Sequence, residues 1–425
     1  MAPAAKARFP RTTVTMMMKR PIPPLPSEPA PPSEGVPAPA TGRRSRRRRR
    51  RIVVTLLAVV LVLVLAVGGT AVALILRLSD SLATNAVSRP GGEQDGQSIP
   101  DWDGPVNLLI MGSDGRDGLT SGTYGGDDVE GDRSDTLMLL HVNAAHTDAT
   151  LVSIPRDTML PRPACRSSNG TTYEATDATQ VNSAFDIGPY CTLDTIRAYT
   201  GLDIDNFVVV NFDGFIDITN AIGGVDVCLA EDVDDPDSGL RLSAGKHTIQ
   251  GEEALAFVRT RYGIGDGSDL GRIRTQQTYL SALARKVKSA QTLTNPVALF
   301  SLADAAGRTL KVNKALSRPE ALVGLAGTLA RVSLDRMVLL QLPVQDYVPD
   351  PNRVEPIPDQ AKQLFDALRE DRPVSLSPAP ADSGSEAVSP SPDEGAASPA
   401  SGAPGVTLPP DVKGQTADRN TCAGG

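Results

Sequence analysis

Residues 52–76, IVVTLLAVVLVLVLAVGGTAVALIL, run for 25 positions without one charged side chain. As a helix this run would extend about 37 Å at 1.5 Å per residue. That crosses a hydrocarbon layer about 30 Å thick with moderate tilt. Directly before it lies RRSRRRRRR, residues 43–51, with eight Arg in nine positions. Positive charge stays on the cytoplasmic side, so the pattern holds the N-terminus inside and sends everything after Arg77 outside. A cleaved signal peptide competes with this reading, because Ala71-Val72-Ala73 has a small-x-small cleavage pattern. The length of the run and the 51 residues before it favour an uncleaved signal anchor in the cell membrane, single-pass. The Arg run could also serve a nucleic acid, but no aromatic stacking residues or folded groove accompany it, and no nucleic-acid partner is expected.

Charge separates the chain further. Residues 1–51 carry 13 Lys and Arg against Glu28 and Glu34, a net of +11, so the whole-chain charge of −8 leaves −19 for the remainder. With 40% hydrophobic residues the middle of the chain can bury a full core, which excludes complete disorder, a collagen-like repeat and a disulfide-dense miniprotein. Pro-, Ser- and Ala-rich stretches lack the apolar side chains a core requires. The expected organisation is a basic cytoplasmic tail (1–51), the anchor (52–76), a polar stalk (77–104), one folded extracytoplasmic domain (105–372) and a disordered tail (373–425).

Six short apolar, often β-branched runs read as strands: 106–111, 136–142, 150–154, 207–212, 225–229 and 337–342. Several are apolar throughout, as in central strands covered on both faces. Helices are expected over 193–199, 215–221, 273–289, 319–332 and 359–369, the fourth opening on Ser317-Arg-Pro-Glu320, a capping-box spacing with Pro in the first turn. The fold class is α/β, a mostly mixed sheet sandwiched by helices. Cys165, Cys191, Cys228 and Cys422 lie outside the cytoplasm on this reading and can oxidise. A Cys165–Cys191 bridge is a guess among three possible pairings. No C-x-x-C occurs and the chain has three His, so a zinc site is not expected.

Charged residues gather at the strand ends. Gly112-Ser113-Asp114-Gly115-Arg116 follows the first strand, Asp132-Arg133-Ser134-Asp135 precedes the second, and Pro155-Arg156-Asp157 follows the third. Open α/β sheets bind ligands in the crevice at strand ends, so three Arg–Asp clusters could meet on one anion. Three unrelated surface ion pairs are the alternative. A fourth cluster, Phe257-Val258-Arg259-Thr260-Arg261 and Asp269-Leu270-Gly271-Arg272-Ile273-Arg274, places four Arg within sixteen residues. Arg forks bind phosphate oxygens bidentately and stay charged. Carboxylates in the same crevice would repel a phosphate unless a divalent cation stood between them, which makes Asp114 and Asp135 candidate Mg²⁺ ligands. Loop and cap chemistry is the other use for such Asp residues. No G-x-S-x-G elbow and no P-loop occurs.

The ordered motifs GSDGR, DRSDTLMLLHV, TLVSIPRDT, QVNSAF, AIGGVDV, ALAFVRTR and DLGRIRTQQ resemble the LytR-CpsA-Psr family of bacterial cell-envelope proteins, from about Asn107 to Gln277, with the fold continuing to about residue 345. The use of Arg, Ala and Pro points to an actinobacterial member. The resemblance implies a Mg²⁺-dependent phosphotransferase that moves a glycopolymer from an undecaprenyl (polyprenyl) pyrophosphate carrier onto a peptidoglycan acceptor. It would place Asp114 and Asp135 on the metal, and Arg116, Arg156, Arg261 and Arg272 on the pyrophosphate, with Gln276 orienting the head group. Arg133 and Arg259 would add to the pyrophosphate site, and Asp157 and Asp269 would serve as bases or ion-pair partners. Where many relatives carry Arg directly before the Gln pair, this chain has Thr275, with Arg274 one position earlier and turned about 100° around a helix. Residues 117–131 form a Gly- and Asp-rich insertion, a lid or a solvated loop. A polyprenyl-pyrophosphate pyrophosphatase and a non-catalytic scaffold for wall polymer are the alternatives.

Overall fold

The computed structural model describes residues 54–56, 61–62, 69, 73, 75–92, 102–114, 134–261, 264, 269–289, 296–377, 405–420 and 422–423. The chain divides into two compact units, Met1–Val67 and Gly68–Gly425. In the first, residues 54–56 and 61–62 are helical, and Val54, Leu56, Leu61 and Val62 are exposed. Among the described residues no helix is long and apolar enough to cross a membrane; most of the expected anchor, and all of the basic tail before it, lie outside them.

In chain order the second unit has β1 (Ala86–Val87), β2 (Val106–Ser113), β3 (Ser134–Val142), β4 (Ala149–Ile154), β5 (Met159–Arg162), β6 (Cys165–Arg166), β7 (Thr172–Tyr173), β8 (Thr176–Gln180), α1 (Ser183–Ile187) and α2 (Pro189–Thr200). Then come β9 (Asn206–Val210), α3 (Phe212–Ala221), β10 (Val225–Leu229), β11 (Val233–Asp235), β12 (Leu240–Leu242), β13 (Gly245–Ile249), α4 (Gly251–Arg259), α5 (Asp269–Lys288) and α6 (Pro296–Thr309). The last are β14 (Lys311–Asn313), α7 (Pro319–Arg331), β15 (Met337–Gln341), β16 (Val344–Asp346), β17 (Val354–Pro356), α8 (Pro358–Arg369), β18 (Val374–Leu376), β19 (Val406–Leu408) and β20 (Gly414–Thr416).

The central sheet has the order β1-β14-β9-β2-β3-β4-β15-β20 and is mixed: β2 runs parallel to β9 and antiparallel to β3, and β4 antiparallel to β3 and parallel to β15. Side chains alternate across it, as the pleat requires. Leu109, Met111, Leu137, Leu139, Val152 and Ile154 face α2 and α8 on one side, meeting Leu193, Ile196, Leu364 and Phe365. Leu108, Met138, Leu140, Leu151 and Leu339 face α5 and α7 on the other, meeting Leu280, Ala321 and Leu329. A further core joins β10 and β13 to α4 and α5 through Val225, Val227, Phe257 and Tyr279. The α/β sandwich expected from the sequence is therefore the observed one.

Three expectations need correction. The stalk over 77–104 is in part structural: residues 75–84 are helical, Leu82 is buried, β1 pairs with β14, and Arg89 bonds Asp194 at 2.8 Å. Residues 405–423 are not a loose tail. β19 pairs with β18, β20 adds to the sheet beside β15, and Cys228–Cys422 ties the end of the chain to β10. Docking of β20 requires Gly414, because a Cβ there would lie 2.5 Å from the Leu339 carbonyl oxygen. Residues 378–404 lie outside the described set. The capping box also does not form: Ser317 Oγ donates to the Lys314 carbonyl at 2.9 Å and Arg318 stands at the cap, while Pro319 opens α7 in the first turn as expected. The Cys165–Cys191 bridge is present.

Candidate active site

Strand directions bring the charged ends together. Because β3 runs antiparallel to both neighbours, its N-terminal end lies beside the C-terminal ends of β2 and β4, with Ser113 opposite Ser134 and Leu137 opposite Ile154. The register shifts between Gly112 and Ser113, and such an irregularity re-aims the residues that follow. Asp114, Asp135, Arg156 and Asp157 consequently line one cleft of about 410 Å³, shared with Gln180, Asn182, Ser183, Asp186 and Arg353.

An alternating chain of charges crosses this cleft. Arg156 Nη1 donates to Asp135 Oδ1 at 2.6 Å, and its Nε lies 3.5 Å from Asp157 Oδ2. The other Asp157 oxygen accepts from Arg353 Nη1 at 3.2 Å and from Gln180 Nε2. Arg353 arrives on the β16–β17 hairpin, which is fastened to the same strand end where Val354 N donates to the Asp157 carbonyl at 3.3 Å. Gln180 ends β8, and Asn182 N reaches the Arg156 carbonyl at 3.3 Å.

The opposite flank is helical. Arg272, 6% exposed on α5, donates from Nη2 to the Asp135 carbonyl at 3.4 Å. Gln276 Nε2, one turn on, donates to Thr136 Oγ1 and to the Val258 carbonyl, each at 3.3 Å, stapling α5 to β3 and α4. At the end of α4 the Arg259 guanidinium lies 4.8 Å over the Phe212 ring, just past β9. Arg261 is anchored by its backbone, whose N–H donates to Asp235 Oδ2 at 3.2 Å, and Thr260 Oγ1 donates to the same oxygen at 2.6 Å. Burial of Asp235 opposes its ionisation, but the hydroxyls of Thr260 and Ser238 and the N–H groups of Arg261 and Asp237 outweigh it and hold the carboxyl at about 2.

The sequence pattern of the LytR_cpsA_psr family matches residues 76–369, well over half of the chain. The chain belongs to the LytR_cpsA_psr family. It is 34% identical over 264 residues to the cell wall biosynthesis protein LcpA of Corynebacterium glutamicum, covering 55% of this chain and 50% of that protein. It is 30% identical over 294 residues to the polyisoprenyl-teichoic acid–peptidoglycan teichoic acid transferase TagT of Bacillus subtilis, covering 67% of this chain and 83% of that protein. The structure of protein gbs0355 from Streptococcus agalactiae, 20% identical, matches with a TM-score of 0.50 over 63% of this chain and 88% of that chain, a likeness of fold alone. This chain spans about half the length of the first curated relatives it matches, 50% and 57%.

In this LytR_cpsA_psr member the cleft gathers Asp114, Asp135, Arg156 and Asp157, and Arg272 reaches it through the Asp135 carbonyl. Arg259, Arg261 and Gln276 stand on the helical flank and do not line the cleft itself. Arg116, Arg133, the insertion 117–131 and the side chain of Asp269 lie outside the described residues. Arg274 is exposed while Arg272, Thr275 and Gln276 are buried, consistent with its place about 100° around α5 from Thr275. Five lining residues carried no assigned role in the sequence reading: Gln180, Asn182, Ser183, Asp186 and Arg353. The QVNSAF motif was the available signal for the first three. Arg353, inside PDPNRVEP, had none, since its partner Asp157 is 196 residues away.

Proposed function

We propose that this chain is a membrane-anchored, Mg²⁺-dependent phosphotransferase that moves a glycopolymer from a polyprenyl-pyrophosphate carrier onto peptidoglycan in cell-wall assembly. The observation that carries the reading is the convergence of Asp114, Asp135, Arg156 and Asp157, from three strand ends, on one cleft. Arg156 stays charged at physiological pH and can exchange its carboxylate partners for phosphate oxygens, which accept its fork in the same way. Arg259, Arg261 and Arg272 add positive charge from the helical flank. Asp157, held from two sides, is placed to take a proton from an attacking sugar hydroxyl. Phosphoryl transfer depends chiefly on such positioning and charge neutralisation. The name of the Bacillus subtilis relative, a transferase of teichoic acid to peptidoglycan, supports the same chemistry.

Asp114 and Asp135 are hard oxygen donors on one wall and suit Mg²⁺, which takes one or two carboxylates and leaves other positions to water and phosphate oxygens. Among the described residues no group of three or more His, Cys, Asp or Glu forms a fuller cage; an ion held by this pair would take its remaining ligands from water and substrate oxygens. Bound there, the ion would neutralise pyrophosphate charge. Two disulfides, Cys165–Cys191 and Cys228–Cys422, support an oxidising compartment outside the cytoplasm, and the apolar run 52–76 behind its Arg cluster supports a single-pass anchor in the cell membrane with the N-terminus inside.

The test uses the full chain in detergent, a polyprenyl-pyrophosphate-linked oligosaccharide as donor and soluble peptidoglycan fragments as acceptor. Arg156→Ala should lower transfer by about 100-fold or more with an unchanged circular dichroism spectrum. Wild-type transfer by that variant would remove Arg156 from the mechanism, and lipid phosphate release indifferent to acceptor would identify a pyrophosphatase.

A further inference from the structure

The two flanks of the cleft differ in chemistry. On the α4–α5 flank the Arg272 guanidinium reaches the Asp135 carbonyl at 3.4 Å, and Arg259 and Arg261 belong to the same flank without lining the cleft. The opposite flank, packed on the α2–α8 side of the sheet through Leu160, Val181 and Phe185, presents Asp157, Gln180, Asn182, Ser183 and Asp186, with Arg353 bound to one Asp157 oxygen at 3.2 Å and Arg156 Nε 3.5 Å from the other. A surface of carboxylates, amides and hydroxyls suits a neutral, hydroxyl-rich ligand, whereas a phosphate would meet two carboxylates there.

Asn182 gives this flank a second, independent feature. It precedes α1, where an Asn ordinarily accepts a hydrogen bond from the first turn. Its backbone is helical, at φ −65° and ψ −25°, and its side chain makes no capping bond; the residue lines the cleft. A local rule broken at a concave polar surface marks a place where function overrides helix stability. The cleft volume of about 410 Å³ lies within the range that holds a small ligand.

We propose that the flank formed by Asp157, Gln180, Asn182, Ser183, Asp186 and Arg353 is the acceptor subsite, built to take the hydroxyl-bearing sugar of the wall polymer. The assignment rests on the transferase reading above. In-line phosphoryl transfer needs the attacking and leaving oxygens on opposite sides of the phosphorus, and the two flanks supply opposite sides. The acceptor hydroxyl oxygen bonds to the sugar-proximal phosphorus and its proton passes to the Asp157 carboxylate. The bond from that phosphorus to the bridging oxygen breaks, and the oxygen leaves with the electron pair as lipid monophosphate. Arg353 and Gln180 are positioning residues that aim the Asp157 carboxylate at the acceptor side.

The experiment measures acceptor KM and donor KM separately, with the full chain in detergent and the donor and soluble peptidoglycan fragments named above. Asn182→Ala should raise the acceptor KM roughly three- to tenfold, the loss of one hydrogen bond, with the donor KM moving much less. Arg353→Gln should lower kcat at saturating acceptor, and Arg353→Lys should restore most of it. Equal rises in both KM values for Asn182→Ala, or an Arg353→Lys variant no better than Arg353→Gln, would overturn the assignment. Absence of acceptor-dependent transfer by the unmodified chain would remove the transferase reading and this assignment with it, whereas transfer with an unmoved acceptor KM in Asn182→Ala removes the assignment alone.

Discussion

Asp235→Asn tests whether a buried carboxylate holds the arginine-bearing segment after α4 in place. Asp235 is 1% exposed; its Oδ2 accepts from Thr260 Oγ1 at 2.6 Å and Arg261 N at 3.2 Å, and its Oδ1 from Asp237 N at 3.0 Å. The carboxyl is held at about 2 against an ordinary 3.8. At about 1.4 kcal/mol per pKa unit, this contributes about 2 kcal/mol of folding stability at neutral pH. The folded value lies below the unfolded one, so the contribution is complete above about pH 4 and is lost as pH falls toward 2. Asn keeps one acceptor oxygen but turns an NH₂ toward the remaining donors, and a buried N–H left without an acceptor costs about 1–3 kcal/mol. Urea unfolding of the full chain in detergent, followed by circular dichroism, should therefore show Asp235→Asn destabilised by roughly 2–4 kcal/mol at neutral pH, with the gap narrowing in acid. Transfer should fall with it, because Arg261 loses its backbone anchor. A neutral-pH difference under about 0.5 kcal/mol, or a gap that stays constant from about pH 6 to pH 2.5, would refute the reasoning.

Breaking Cys228–Cys422, by Cys228→Ser, removes a cross-link between residues 194 apart and should destabilise by about 2–5 kcal/mol. Limited proteolysis should then cut first within 405–423, and an unchanged cleavage pattern would show that β20 holds without the bridge. Chelation of divalent cations should abolish transfer, added Mg²⁺ should restore it, and Asp114→Asn should raise the Mg²⁺ concentration needed for half-maximal rate; full activity in excess chelator would exclude the assigned role of Asp114 and Asp135.

Much of the sheet was legible because its strands carry the pattern locally. The apolar run expected over 106–111 is the body of β2, and the one expected over 150–154 is the body of β4. Helix 193–199 proved to begin earlier, at Pro189, since a Pro is tolerated in the first turn. α4 was hidden as a helix inside ALAFVRTR, which was read as a motif, although Ala254, Leu255 and Phe257 bury one face. The end of the chain was misread for a compositional reason. Pro, Ser, Ala and Gly dominate 373–410, and that average conceals Val374, Val406 and Leu408, which are buried in the main core.

The candidate site divides in the same way. The Arg–Asp clusters were visible as charge beside strand ends, and the family motifs named most of them. Their meeting in one cleft was not encoded in any one of those segments, because it follows from the order β9-β2-β3-β4-β15 and from β3 running against both neighbours. Arg353 shows the limit best. It is an isolated cation in a turn, and only the docking of the β16–β17 hairpin on the Asp157 strand end makes it a partner.

By itself, then, the sequence determined which stretches alternate, which are apolar throughout, where charge accumulates and which segment runs for 25 residues without a charge, since each depends on neighbours a few residues away. Tertiary structure alone decided the pairs Asp157–Arg353, Asp135–Arg272 and Cys228–Cys422, separated by 196, 137 and 194 residues. Contacts at that separation are selected by strand order and core packing, and leave no periodic trace in the segments they join.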